Sequence, residues 1–491
     1  MSFIHTDFLL SNSTARALFH DVAHSLPIID YHNHIDPVAL AENRQYENLT
    51  QLWLSLDPYK HRLMRINGVP EDRITGEASD YDKFMAWAHT LPRTLGNPLY
   101  HWSALELQRV FGIKETLTEE NAQMVWQACQ EQLQQEEFRA ANLIKRWGVE
   151  TMSTSDDLLD DLQPHQQATL THSLNVYPSL RGDTILAFSS QHYRAWIKEL
   201  ATQTGLTIRN LEDYQTAIQQ KIHDFDQAGC RLADHALDPD FYFALPSEAQ
   251  AMNYFHQIIA GNKLNQQESV QLTSYLLNFL GKAYAEQGWI LQLHIGAQRQ
   301  TSTRLKKITG GAGGFAGIGH ACDIDSLCRF LDSLEQAGQL PRMILYTLNP
   351  SDYEALASLT GSFAEDGVAG KIQLGPAWWY NDHYEGIQHH LKVLANYGML
   401  SRFLGMTTDS RSPLSFSRHE YFRRVLCNTL GTWVKEGHLP NDTKLLSELV
   451  QNLCYENAQQ HMKYGNKTER EGKSGARVDC NPPERITNNS N

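Results

Sequence analysis

Cysteine is scarce and scattered. The seven residues, Cys129, Cys230, Cys322, Cys328, Cys427, Cys454 and Cys480, form no CxxC pair. That argues against a Cys-based zinc site or a disulfide framework and fits reduced thiols in a cytoplasmic setting. Long apolar runs are also missing: none reaches the ~18 residues that a membrane helix needs. The opening MSFIHTDFLLSNSTARALFHD lacks a basic stretch followed by an uninterrupted apolar one, so no secretory signal is expected. Positive charge is in deficit. Lys and Arg number 42 against 56 Asp and Glu, a net charge of −14, which argues against nucleic acid or an anionic membrane as the main partner. A small anionic substrate stays open, because a few arginines in one pocket override the net charge. No phosphate-binding loop is present either. The cluster Gly310, Gly311, Gly313 and Gly314 lacks both the spacing and the lysine, and reads as a flexible loop.

What the chain does have is material for a large core: 491 residues, 41% hydrophobic and 10% aromatic. Short apolar runs rich in β-branched residues recur at PIIDYH (27–32), VETMST (149–154), LNVYPS (174–179), CRLADH (230–235), WILQLH (289–294), MILYTL (343–348), KIQLG (371–375) and RFLGMTTD (402–409). Stretches of helical periodicity such as DSLCRFLDSLEQAG and GIQHHLKVLANYG separate several of them. Eight βα repeats predict an α/β fold, a distorted (β/α)8 TIM barrel with helical insertions. Residues 35–148 are too many for one loop and read as a helical insertion, and 190–285 as a second helix-rich stretch. The barrel is expected over 1–462, followed by a polar, disordered tail at 463–491.

A barrel places its active site at the carboxyl ends of its strands. The first run ends in Asp30-Tyr31-His32-Asn33-His34, where strand alternation puts His32 and His34 on one face. Two such imidazoles suit zinc or a similar divalent ion, although an HxH alone also fits unrelated histidines. The eighth run ends in Thr407-Thr408-Asp409-Ser410-Arg411. There Asp409 can complete a metal site or act as a base, and Arg411 can hold a substrate carboxylate. The fifth ends in His294. Singly these signals are weak; together they point to a metal-dependent barrel enzyme.

The constellation resembles the amidohydrolase superfamily, and within it the uronate (glucuronate) isomerase family. The resemblance is carried by DYHNHIDP, YKHRLMRINGV, NPLYHW, LQLHIGA, LNPSDYEAL, WWYND, TDSRS and RHEYFRR, and most specifically by GMLSRFLGMTTDSRS and RHEYFRRVLCN. It runs to about residue 462. The resemblance implies aldose–ketose isomerisation of hexuronates, with His32, His34 and Asp409 as metal ligands. It implies Asp409, Arg411, Tyr59 and His294 as catalytic residues and Arg181, Trp378 and Trp379 as substrate contacts. The superfamily's fourth-strand lysine is replaced by the LADHAL segment with Asp234 and His235, so one metal ion, zinc first, is expected. The partner is then a small sugar acid; a homo-oligomer is left open. The alternatives are a metal-dependent hydrolase of a sugar acid, lactone or ester, and a silent sugar-acid binder.

Three segments depart from the family pattern. Pro58 stands where DHYKWR has its histidine. Ala316 and His320 stand where GFDSIGD has carboxylates, and Gln298-Arg299-Gln300-Thr301-Ser302-Thr303 replaces an asparagine-rich stretch. They predict a preferred substrate other than unmodified glucuronate or galacturonate, unless His61 or His320 supplies the missing contact.

Overall fold

The computed structural model describes residues 3–299, 301–311 and 313–462. The tail at 463–491, Gln300 and Cys480 lie outside the described residues. Seven strands, β1 (Ile28–Asn33), β2 (Val149–Asp157), β3 (Asn175–Arg181), β4 (Leu232–Leu237), β5 (Ile290–Ile295), β6 (Arg342–Thr347) and β7 (Ile372–Leu374), form one parallel sheet in chain order. Between consecutive strands lie helices such as Gln163–His172, Leu211–Gln227, Gln266–Gln287, Ile324–Glu335 and Tyr353–Ser362. Parallel strands joined in this way need such crossovers; their apolar residues feed the core, while the polar ones, as in VETMSTSDD of β2, stand toward the strand ends. The sheet curls. Ile29 and Tyr31 of β1, Leu232 of β4, Ile290 of β5, and Ile344 and Tyr346 of β6 share one buried cluster with Leu404.

The eighth run is not a ladder strand. Residues 403–412 carry no regular strand pairing, because Gly405 (φ +81°) and Asp409 (φ +45°) leave the extended region. The segment nevertheless lies against β1, held mostly by side chains. The Thr408 amide donates to Asp30 Oδ1 at 2.7 Å, and the His32 amide donates to Thr407 Oγ1 at 2.9 Å. The Tyr31 hydroxyl donates to the Gly405 carbonyl at 3.0 Å. On the other side Gln373 of β7 donates to the Arg402 carbonyl at 3.0 Å. The barrel thus closes through a pinned irregular segment.

Between β1 and β2 the described chain is helical, including Pro58–Ile66, Asp80–Thr90, Pro98–Phe111 and Ala122–Leu133. Pro58 occupies the first turn of its helix, where its missing N–H is no loss, and Asp57 caps it by accepting from the Tyr59 and Lys60 amides. No helix among the described residues is long and apolar enough to cross a membrane.

Candidate active site

A cavity of about 620 Å³ opens at the carboxyl ends of the strands. Every site residue read from the sequence lines it: His32, His34, Tyr59, Arg181, His294, Trp378, Trp379, Asp409 and Arg411. His34 Nε2 lies 3.0 Å and His32 Nε2 3.5 Å from Asp409 Oδ1. One ligand atom from each of the three falls within 4.8 Å of the others. Two neutral-capable imidazoles and a carboxylate are the donor set of a first-row divalent ion. Buried His294 packs 4.7 Å from the His32 ring with its Nε2 unpartnered, and lines the same cavity. The residues present fit a metal ion.

The electrostatics agree. Burial draws His34 down to about 4 and outweighs its contact with Asp409. At His32 burial also disfavours charge, but Asp409 and Asp234 together overcome it and raise the imidazole. Burial would lift Asp409, yet its hydrogen bonds to His32 and His34 hold it well below the usual carboxylate range. His294, facing two cationic neighbours and His32, is pushed well down, chiefly by burial.

Trp378 and Trp379, expected as substrate contacts, are bound to Asp409. Both indole N–H groups donate to the same atom, Asp409 Oδ2, at 2.7 and 2.6 Å. A carboxylate whose second oxygen is held this way presents Oδ1 to the histidines. Asp30 fixes the backbone behind it: its oxygens accept from Thr407, Thr408, Asn33 and His419. Arg181, the last residue of β3, pairs with Asp183 at 3.1 Å, and Asp183 in turn accepts from the Ala236 amide.

The departures from the family pattern divide. Pro58 and Ala316 line the cavity. Neither His61 nor His320, the two residues offered as a replacement for the missing contact, lines the cavity. His61 is buried and lines no part of the cavity. His320 has a 62% exposed side chain and lies 3.3 Å from Asp240 outside the cavity. The glycine cluster read as a plain loop contributes Gly311 and Gly314 to the wall. Gly314 (φ +75°) approaches so closely that a Cβ would lie 2.2 Å from the Pro58 carbonyl oxygen.

Among the charged wall residues, sequence reasoning assigned no role in the site to Asp183, Asp234, Asp238, Arg299 and Lys306. Asp234 of β4 lines the cavity and burial lifts it to about 6; the signal was the LADHAL strand end. Asp183, Arg299 and Lys306 also line it, and Arg299 sits 5.6 Å over the Trp379 ring.

A curled parallel α/β sheet with His-x-His on its first strand and a carboxylate on its closing segment defines a class: a barrel-type enzyme scaffold carrying a candidate mononuclear metal centre. The comparisons sharpen this. The sequence profile of the glucuronate isomerase family matches residues 1–462. A protein named uronate isomerase from Caldanaerobacter subterraneus is 44% identical over 462 residues, covering 94% of this chain and 99% of that protein. The crystal structure of uronate isomerase from Thermotoga maritima superposes with a TM-score of 0.88 at 31% identity, covering 94% of this chain and 100% of that one. The glucuronate isomerase of Caulobacter crescentus shares the fold, with a TM-score of 0.87 at 24% identity over 95% and 98% of the two chains. The chain belongs to the glucuronate isomerase family.

Proposed function

We propose that the protein interconverts aldo- and keto-hexuronates, and that its cavity carries the reaction on an open-chain sugar acid. The observation that carries this reading is the convergence of His32, His34 and Asp409 beside Arg411, Arg181 and Tyr59 in one cavity of a family member. The division into a catalytic unit at 1–462 and a separate tail is part of the proposal, as is a cytoplasmic setting.

Isomerisation moves a proton from C2 to C1 and needs a base, an acid and a place for charge on the enediol. Asp409 is the base, and the indoles of Trp378 and Trp379 hold its carboxylate in place through Oδ2. Arg411 holds a sugar oxygen that gains negative charge, and Arg181 takes the carboxylate. Tyr59 touches a sugar hydroxyl, and His294 and the indoles wall the sugar off from water. His32, His34 and Asp409 would hold a divalent ion, zinc in this reading, which would supply Lewis-acid stabilisation of negative oxygen.

The loaded enzyme should convert a hexuronate into its 2-keto isomer with exchange of the transferred hydrogen. Absence of conversion across glucuronate, galacturonate and a broad panel of sugar acids would overturn the reading. Pro58 and Ala316 have no side-chain polar group. They should weaken unmodified hexuronates by about 1–3 kcal/mol if a buried sugar hydroxyl loses its partner. Family-level efficiency on D-glucuronate, with no better sugar acid in the panel, would refute that shift.

A further inference from the structure

A second cavity, of about 510 Å³, opens at the amino ends of the strands, away from the candidate active site. Its walls include Ile28, where β1 starts, and Gly148, one residue before β2. Helix Pro98–Phe111 adds Arg109, helix Ser417–Lys435 adds Glu420 and Arg423, and helix Ala140–Arg146 ends in Arg146. In a chain with a net charge of −14, this lining gathers three guanidiniums around one carboxylate.

That carboxylate is already satisfied. Arg109 Nε and Nη2 donate to Glu420 Oε2 and Oε1, both at 2.9 Å. Arg424, outside the lining, donates from Nε to Oε1 at 2.9 Å. The other two guanidiniums have no acidic partner among the described residues. Arg146 Nη1 donates to the Val110 carbonyl at 2.6 Å, and its guanidinium packs 4.5 Å over the Phe138 ring. Arg423, 5% exposed, donates from Nη1 and Nη2 to the main-chain carbonyls of Ala23, Leu26, Pro27 and Cys454. Carbonyl dipoles hold a guanidinium in place but leave its net charge uncompensated, and such a charge shielded from water is costly. An anion in the cavity relieves that cost.

The rest of the wall narrows the class of anion. Phe19, Trp147 and Phe416 line the same cavity, so the arginines stand beside aromatic surface. A phosphate monoester carries about −1.5 to −2 charge at neutral pH, which matches two guanidinium charges in excess. The forked donors of arginine fit its oxygens, and its organic group can lie on the rings. We propose that this cavity binds a small organic phosphate monoester, at a site distinct from the reaction cavity. The site is independent of the isomerase reading.

Titration calorimetry of the full chain with glucose 6-phosphate, adenosine monophosphate and inorganic phosphate tests it. At least one ester should bind with a Kd of about 1 mM or tighter, and more tightly than inorganic phosphate. Binding should weaken as salt is raised. The two esters separate a sugar from a nucleoside as the organic group. Arg146→Glu reverses one of the two uncompensated charges and should weaken binding by at least about tenfold at an unchanged melting temperature. Arg146→Gln takes its place if the reversed charge lowers the melting temperature. Arg181→Gln, in the reaction cavity, should leave ester binding at the parent's level. No saturable binding of either ester, or esters no tighter than inorganic phosphate, would overturn the proposal. So would parent-like binding in the Arg146 variant, or binding lost in Arg181→Gln instead.

Discussion

At the scale of single residues, the two indoles on Asp409 make a sharp prediction. Asparagine would normally be chosen to keep one oxygen ligand and remove the base. Here the N–H groups of Trp378 and Trp379 both demand an acceptor at Oδ2. The amide oxygen of an Asp409→Asn side chain must turn to them, leaving its NH2 toward His32 and His34, where it cannot ligate. The variant should therefore lose bound metal as well as rate, the latter by about 10²–10⁴-fold. Metal analysis of the purified protein checks it; full occupancy would show that Oδ1 is not a ligand. The double change His32→Ala/His34→Ala should likewise abolish metal and turnover together while the melting temperature holds, because these groups line a cavity and fill little core. His32 and His34 were legible because alternation along a strand end is a local rule; Asp409 and Arg411 were legible only as residues of the TDSRS motif, since their segment is no strand and Asp409 has φ +45°. Asp382 and Arg418 were not: Asp382 Oδ2 accepts from the Tyr59 hydroxyl at 2.7 Å and the Arg418 guanidinium packs 4.8 Å over the Tyr59 ring, contacts made by tertiary packing that nothing in WWYND or RHEYFRR taken locally announces.

At the scale of elements, seven of the eight strands expected from apolar runs are ladder strands, since β-branched runs bounded by polar residues are a local signal. The eighth was misread as regular because RFLGMTTD has the right composition. Gly405 gives the reason. Its φ of +81° is accessible to glycine alone at low cost, and a Cβ there would lie 2.2 Å from the Leu453 carbonyl oxygen. Gly405→Ala should therefore destabilise the protein by at least about 1–3 kcal/mol, seen as a lowered melting temperature. It should also displace Thr407 to Asp409 enough to reduce turnover. Unchanged stability would mean that this segment is more adaptable than its hydrogen bonds to Asp30 and Tyr31 indicate.

At the scale of the whole molecule, buried neutral histidines make stability depend on pH. His390 lies in the helix Tyr384–Tyr397, its Nε2–H donating to the Gly375 carbonyl at 2.6 Å. Burial draws it from 6.5 down to about 4. The unfolded chain then binds the proton more tightly than the folded one. The stabilisation is complete above pH 6.5 and is lost as pH falls toward 4, by about 3 kcal/mol for this residue alone. His390→Gln should flatten the fall of melting temperature over that window; a parent-like slope would place the acid sensitivity elsewhere.

The irregular closing segment also has a kinetic meaning. His32 and Thr407 touch across 375 residues of chain, so this contact becomes available only after most of the chain has been made, and contacts so distant in sequence are slow to form. The seven ladder strands can assemble while the chain is still being made, but the carboxylate that completes the site arrives with the final sixth of the chain. A ribosome-stalled product ending before residue 400 should resist proteolysis in its early strands yet bind no metal and isomerise nothing. Catalysis is thereby withheld from nascent and truncated chains until synthesis has passed the point at which the barrel can shut.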